Sequence, residues 1–394
     1  MGLIAPILSN GESALLGFLP NNEVGEIAKS AIVSRGLPGR RDEAFKWSDL
    51  RSALADGVPR ADGSAGMIPK CFSDALLIDF TPDGLAIEGD KGGGLTIETE
   101  DSFPLEDAGI IPILGAALAP KTVVLTVSIS QSSPIFLRRH PGSPMRLRIL
   151  VGEGVYVTLV DTALASSGLS SALIEIDVAT GAKVTRISLQ EGGSDAIDLV
   201  HARVKIGADA SYEATALTFG ARFARAETFV TLHGAGGNCR VDGAYLLAGH
   251  AHADATTCIV HTAPGGITRE LFKGAVKDRA NGVFQGKILV ERAAQQTDAR
   301  QNHHALMLTE GCQVNAKPEL EIYADEVACA HGNTIGALDA HALFYMRQRG
   351  LPLAQARALL VAAFVTEVLD GIAHEGARDW LTARVDSWMN GALS

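Results

Sequence analysis

Three glycines set at nearly equal steps constrain this chain more than any other feature. Val151-x-x-Gly154-x-x-Val157, Val178-x-x-Gly181-x-x-Val184 and Val204-x-x-Gly207-x-x-Ala210 recur at a step of about 27 and then about 26 residues, and Leu232-His233-Gly234 opens near the next step. Each glycine sits between two strand-like runs, where a tight turn calls for a positive φ. A repeat of this size means that one supersecondary unit is stacked several times. A second relation sets Val241 to Leu247 beside Phe284 to Val290 at 43 residues' distance, and half of that distance gives a coil of about 22 residues. Asp254 before Cys258-Ile259-Val260 parallels Asp298 before Leu306-Met307-Leu308. Coils in the low to middle twenties, made of short strands joined by turns, suit a β-solenoid in which each coil hydrogen-bonds to the next. A stacked antiparallel sandwich is the alternative.

The flanks are of another kind. Ser13 to Phe18 and Val24 to Val33 carry apolar residues at helical spacing, and Gly36-Leu37-Pro38-Gly39 closes the segment. Arg40-Arg41-Asp42-Glu43-Ala44-Phe45-Lys46-Trp47-Ser48-Asp49-Leu50 is then a solvated charge run with two aromatics that cap a core. From Ala75 the period changes to two, with short strands at Ala75 to Phe80, Gly84 to Glu88 and Leu95 to Glu98. At the other end Asp339 caps a helix through about Arg349, Gly350 suits its C-terminal turn, and Pro352 suits the first turn of the next. Leu359, Leu360, Ala363, Phe364, Val368 and Leu369 give that tail an apolar stripe, as expected of a helical hairpin packed on the solenoid end over its exposed strand edges. The chain thus divides into an N-terminal helical region (1–60), a β-strand body with a β-helix core (61–332) and a C-terminal helical domain (333–394).

Composition narrows the function. The 42 glycines and 5% aromatic content favour repetitive strand packing over a large aromatic core. A net charge of −11 argues against a phosphate backbone as partner. Cys71, Cys239, Cys258, Cys312 and Cys329 include no Cys-x-x-Cys pair, which fits a reducing cytoplasm better than a disulfide framework. Met1 to Pro6 carries no basic run before an apolar block, so no signal peptide is expected, and the apolar run from Ile110 to Pro120 falls short of the roughly 20 residues that span a bilayer.

The chemistry concentrates in one stretch. Leu320 and Ile322 alternate with Glu319, Glu321 and Tyr323, and Val327, Cys329 and His331 follow at the same period of two. Residues two apart on a strand project to one side, so the thiol of Cys329 and the imidazole of His331 point together. Gly332 and Gly336 are expected to break the strand before a helix begins near Asp339. Either the pair is a soft ligand set for a metal or Cys329 is a small apolar filler.

Elsewhere the residues offer less. His250 and His252 share a face if extended, with His261 and Cys258 nearby, a candidate soft set that reads equally as polar positions on a solenoid face. His303 and His304 are adjacent and point oppositely on a strand. Gly234-Ala235-Gly236-Gly237-Asn238 lacks the Lys-Ser/Thr of a phosphate loop, and neither Gly-x-Ser-x-Gly nor His-Glu-x-x-His occurs. Asp254, Asp278 and Asp298 are the carboxylates that a β-helix carbohydrate-active enzyme would use, although the aromatics that line such grooves are scarce.

Lys317-Pro-Glu-Leu-Glu-Ile-Tyr-Ala-Asp-Glu-Val-Ala-Cys-Ala-His-Gly332, followed by Gly336-Ala-Leu-Asp-Ala-His-Ala-Leu-Phe-Tyr-Met-Arg-Gln-Arg-Gly-Leu-Pro352, closely resembles the SufB/SufD family of iron-sulfur cluster assembly scaffolds. The form with Cys-Ala-His-Gly resembles the SufD type, as does the run from Arg40 to Leu50. The resemblance implies a mostly β chain with a right-handed β-helix core between helical ends, and a non-catalytic scaffold subunit. It also implies a SufB-like partner at the β-helix end, a SufC-like ABC ATPase on the C-terminal helices, and a transient iron-sulfur cluster at the subunit interface with Cys329 and His331 as its ligands from this chain. Reduced flavin is associated with such complexes, though no flavin fingerprint occurs here. His304 falls close to the place where SufB-type members carry a Cys before a Met-Leu pair, a departure that favours the partner role. Two other functions fit the residues without the resemblance: a β-solenoid homodimer with no metal role, and the carbohydrate-active enzyme.

Overall fold

The computed structural model describes residues 7–63, 65–101, 109–119 and 121–392. Met1 to Pro6 and Pro120, which carry the readings of the chain start and of one apolar run, lie outside the described residues. The chain opens with α1 (Asn10–Phe18), α2 (Glu23–Arg35) and a short α3 (Leu50–Ala53). Ser9 and Glu12 cap α1 reciprocally, and Gly36 closes α2 in the left-handed region at φ 74°. Three strands follow, β1 (Leu76–Thr81), β2 (Gly84–Glu88) and β3 (Leu95–Asp101), then α4 (Ile110–Leu118).

The body consists of β4 (Lys121–Val127), β5 (Ile135–Arg139), β6 (Met145–Val151), β7 (Tyr156–Val178), β8 (Lys183–Ile206), β9 (Ser211–Thr218), β10 (Phe223–Leu232) and β11 (Asn238–Leu247). It continues through β12 (His252–His261), β13 (Ile267–Val276), β14 (Asn281–Val290), β15 (Asp298–Met307), β16 (Gln313–Ile322) and β17 (Ala328–Gly336). The tail is α5 (Ala340–Gln348), α6 (Leu353–Thr366) and α7 (Glu375–Ala392).

From β9 onward each strand pairs in parallel with the strand two places along, which makes a flattened β-solenoid of about eight turns with two walls. One wall runs through β5, the first halves of β7 and β8, then β9, β11, β13, β15 and β17. The other runs through β4, β6, the second halves of β7 and β8, then β10, β12, β14 and β16. The antiparallel leaf β1–β3 joins the first coil, β1 on β5 and β3 on β4.

The expected repeat is real, but its length differs. Leu159, Arg186, Ala214, Val241, Glu270, Gln301 and His331 are successive register partners, so a coil takes about 27 to 31 residues. The 43-residue relation joins β11 to β14, which stand on opposite walls one and a half coils apart, so halving it gives a coil too short. The glycine turn is a ladder. Gly154, Gly181, Gly236 and Gly265 all take φ between 65° and 71°, and Gly154 donates to Thr180, Gly181 to Ala208, Asp209 to Ala235, and Gly236 to Pro264. In the third coil the left-handed position falls to Asp209 at φ 53°, not to Gly207 as the repeat suggests.

The solenoid interior is a continuous apolar core built from inward-facing residues of both walls, among them Val184, Val204, Tyr212, Val230, Cys239 and Phe284. α1, α2 and α4 cover one wall from outside, packing on Leu169, Leu173, Ile197 and Leu199. α6 and α7 cover the other, where Val361, Val365, Leu381 and Val385 bury Ile187, Leu217, Leu246 and Ala275. The C-terminal helices therefore lie along a wall and do not cap the solenoid end: their apolar stripe is matched by outward-facing Ile, Leu and Ala on the sheet.

One interior position is close-packed enough to test. A Cβ on Gly274 would fall within the Tyr245 ring, which is itself held by a 2.8 Å hydrogen bond between its hydroxyl and His303 Nε2. Gly274→Ala should therefore lower stability by about 1–3 kcal/mol, read from the urea midpoint, and an unchanged midpoint would show the ring free to move.

The open solenoid mouth as candidate functional site

Every inner coil has a coil above and below it. Among the described residues β16 and β17 pair only on one side, with β14 and β15, so the last coil leaves a mouth. Four inward columns of side chains end there on β17, one of them running through Tyr245, Gly274 and Ala305 to Ile335. Val184, Tyr212, Cys239, Thr268 and Ala299 lead to Cys329. Val241, Glu270 and Gln301 lead to His331, and Gly243, Phe272 and His303 lead to Asn333. The facing wall ends on Ala316, Pro318, Leu320 and Ile322. Pro318 suits this place, since a strand at an edge tolerates the loss of an N–H.

Cys329 is half-buried and packs on the core beside Leu320 and Val327, whereas His331 is exposed. Both belong to the inward side of β17, but no further coil covers them. Burial pushes the Cys329 thiol above its ordinary value, and a backbone hydrogen bond from Ala299 pulls the other way. β17 runs on through Gly332 and ends at Gly336, so of the two glycines expected to break the strand Gly336 does and Gly332 does not. Among the described residues no three His, Cys, Asp or Glu side chains stand close enough to hold a metal ion. Cys329 and His331 are thus at most half a tetrahedral or cluster site.

Below the mouth the interior turns polar. Gln301, fully buried, donates from Nε2 to Glu270 Oε2 at 2.7 Å. Burial pushes Glu270 up to about 7, with hydrogen bonds to Gln301 and Thr257 opposing. His303, also fully buried, bonds Tyr245 through Nε2 and Asn333 Oδ1 through Nδ1 at 2.7 Å, and stacks on Phe284 with ring centroids 5.0 Å apart. Its desolvation lowers its pKa to about 4.

The sequence itself carries the decisive likeness. A family model described as "SUF system FeS cluster assembly, SufBD core domain" matches residues 137–364. The chain belongs to the SufB/SufD family. An iron-sulfur cluster assembly SufBD family protein of Synechocystis is 33% identical over 88% of this chain and 86% of its own length. The Escherichia coli iron-sulfur cluster assembly protein SufD is 27% identical over 91% of each chain, and a SufBD family protein of Mycobacterium bovis 30% identical over 95% of each. This SufD-type member of the family therefore has a role in iron-sulfur cluster assembly.

The other candidates do not converge on this mouth or on one another. His250 is exposed at a turn. His252 is buried against Phe223, with Nε2 3.1 Å from Ser48 Oγ, and His261 faces the interior, with Nε2 2.9 Å from Thr268 Oγ1. Desolvation lowers both to about 4. Cys258 lies on the other side of β12 from His261, so no soft set assembles there. His303 points inward and His304 outward to Thr334 Oγ1, the opposition expected of neighbours on a strand. Asp254 is buried against Ser48 and Arg225, Asp278 accepts from Gly249 N–H, and Asp298 pairs with Arg269. Each of these three carboxylates has a structural partner.

Sequence reasoning missed Glu270, Gln301 and Asn333. Glu270, Gln301 and His331 each stand one coil step from the one before, which is the signal that a correct coil length would have exposed. It also missed the purpose of the run from Arg40 to Leu50, which straps the outer wall. Ala44 O accepts from Arg225 Nη1 at 2.9 Å, the Arg225 guanidinium lies 4.2 Å over the Phe45 ring, Ser48 bonds Asp254, and Lys317 on β16 pairs with Glu43 at 2.6 Å.

Proposed function

We propose that this SufD-type chain is a non-catalytic scaffold subunit whose solenoid mouth meets a SufB-like subunit, and that a nascent iron-sulfur cluster is built there as cargo. The observation that carries this reading is the placement of Cys329 and His331 two residues apart on the last coil, whose strands are unpaired on their outer side among the described residues. A thiolate and a neutral imidazole suit iron, and two donors from one chain require the rest from another. Cys329 must lose its proton to bind, and the burial that raises its pKa makes the bare thiolate costly until the metal arrives. A half-site also releases its cargo when the chains shift.

The same reading gives the C-terminal helices a second partner, a SufC-like ABC ATPase. α6 and α7 bury one side on the wall, yet Phe344, Tyr345 and Leu359 remain 64%, 60% and 47% exposed on α5 and α6. Large exposed apolar side chains on these helices are what such a partner would cover. We assign reduced flavin to no residue of this chain, and place the complex in the cytoplasm. Among the described residues no helix is long and apolar enough to cross a membrane.

Co-purification with a SufB-like and a SufC-like subunit, followed by anaerobic reconstitution with iron and sulfide, tests the assignment. A supporting residue one shell away from a metal is worth 10–100-fold in affinity, so Cys329→Ala and His331→Ala should each cut the cluster absorbance of the complex by about tenfold or more, with assembly retained. Unchanged absorbance in both would remove the site. A chain that forms only a homodimer through β16 and β17 would instead favour the interaction protein without a metal role.

A further inference from the structure

We propose that Gln301 is the positioning residue for His331, its amide oxygen accepting from an imidazole N–H while Glu270 fixes which way round the amide stands. This rests on the reading of His331 as a ligand only for its consequence, and the hydrogen bond itself is testable without iron. The three residues are consecutive register partners on one inward column, one ladder step of about 4.8 Å apart. Gln301 Nε2 donates to Glu270, the arrangement imposed above pH about 7, where the ionised carboxylate only accepts and an amide oxygen cannot donate. That leaves Gln301 Oε1 buried with no partner, a costly condition for a carbonyl oxygen.

Within its own column and on the wall facing it, one donor is left. The facing wall presents Gly286, where a Cβ would collide with the Gln301 amide, and then Pro318, which has neither a side-chain donor nor an N–H. The Thr257 hydroxyl faces the Glu270 carboxylate and opposes the rise in its pKa, so that donor is directed at Glu270. The next side chain toward the mouth is His331. The neighbouring column shows that one ladder step suffices for this contact: Asn333 Oδ1 lies 2.7 Å from His303 Nδ1, again an amide oxygen against an imidazole across a single step. A ligating histidine fixed through its second ring nitrogen by a carbonyl oxygen has its tautomer and ring plane set before metal arrives.

The test is the ring tautomer of His331 in the full apo chain, read from histidine 15N shifts and assigned by the signals lost in His331→Asn. Gln301→Met keeps length and removes the acceptor. It should move the tautomer ratio about fivefold toward that of an unconstrained imidazole, the change expected for one lost hydrogen bond. The paired exchange Glu270→Gln with Gln301→Glu keeps a donor facing an acceptor within the column and an oxygen for His331, and should restore the biased ratio. The same ratio in wild type, Gln301→Met and the exchanged pair would overturn the proposal. If Gln301→Met fails to fold, the ratio in wild type against the exchanged pair decides: bias in both supports it, and an unconstrained ratio in either overturns it. Loss of the ligand role appears separately, as unchanged cluster loading in His331→Ala.

Discussion

Arg225→Met should cost at least about 3–5 kcal/mol of unfolding free energy, the range for removing one partner of a buried ion pair. Arg225, Asp254 and Glu227 are all buried, with Arg225 Nε 2.9 Å from Glu227 and Nη1 on Asp254. The two carboxylates hold Arg225 above its ordinary value, and a hydrogen bond with His201 together with the Arg225 charge holds Glu227 below its own, both against burial. Removing the guanidinium leaves Asp254 with neutral donors alone and Glu227 with His201, and also takes away one of the two donors on Ala44 O and the cation over the Phe45 ring. The loosened strap over residues 43–48 should then be cut faster by protease. Adding Asp254→Asn and Glu227→Gln to Arg225→Met should recover most of the loss, because the cost lies in unpaired charge more than in lost attraction. A single variant within about 0.5 kcal/mol of wild type would show that the three groups do not act as a buried set.

The second large effect is in acid. His252, His261 and His303 are held neutral to about 4, against 6.5 in an unfolded chain. As pH falls from 6.5 toward 4 the unfolded chain takes up protons that the folded one refuses, so each imidazole withdraws roughly 3 kcal/mol of stability across that window. Glu270, raised to about 7, and Asp242, raised to about 6, act in the opposite sense. They stay protonated when folded at pH values where the unfolded chain has released the proton. Their cost is present at neutral pH and fades as pH falls through their folded values toward about 4, returning roughly 3 kcal/mol each. A net loss of roughly 3 kcal/mol between pH 7.5 and 4.5 follows. Urea midpoints should therefore fall in acid for wild type, stay nearly level for His303→Gln, and fall about twice as far for Glu270→Gln. Parallel pH dependences in all three proteins would refute the assignment of these groups.

The family likeness of Lys317 to Pro352 and the pairing of Cys329 with His331 on one side of a strand needed only the chain, because period-two alternation and a local motif are properties of neighbours in sequence. The terminal helices followed from the same kind of local signal: Asp339 caps α5 through its carboxylate on His341 N–H, and Gly36 ends α2. The N-terminal strap is different. Nothing near Phe45 or Ser48 announces that their partners are Arg225 and Asp254, about half the chain away.

The sequence by itself determined that strands stack at a regular step and that sulfur and imidazole share a side. Tertiary structure decided how long a coil is, which wall the helices cover, and that the shared side of Cys329 and His331 is the inward side of the last coil, whose strands pair on one side only among the described residues. Coil length is set by the parallel register between strands a full coil apart, and turns of unequal length are absorbed between them without trace in the local pattern. Glu270, Gln301 and His331 became a column only when those turns had been counted, since hydrogen bonds between distant strands, not spacing along the chain, bring them into line.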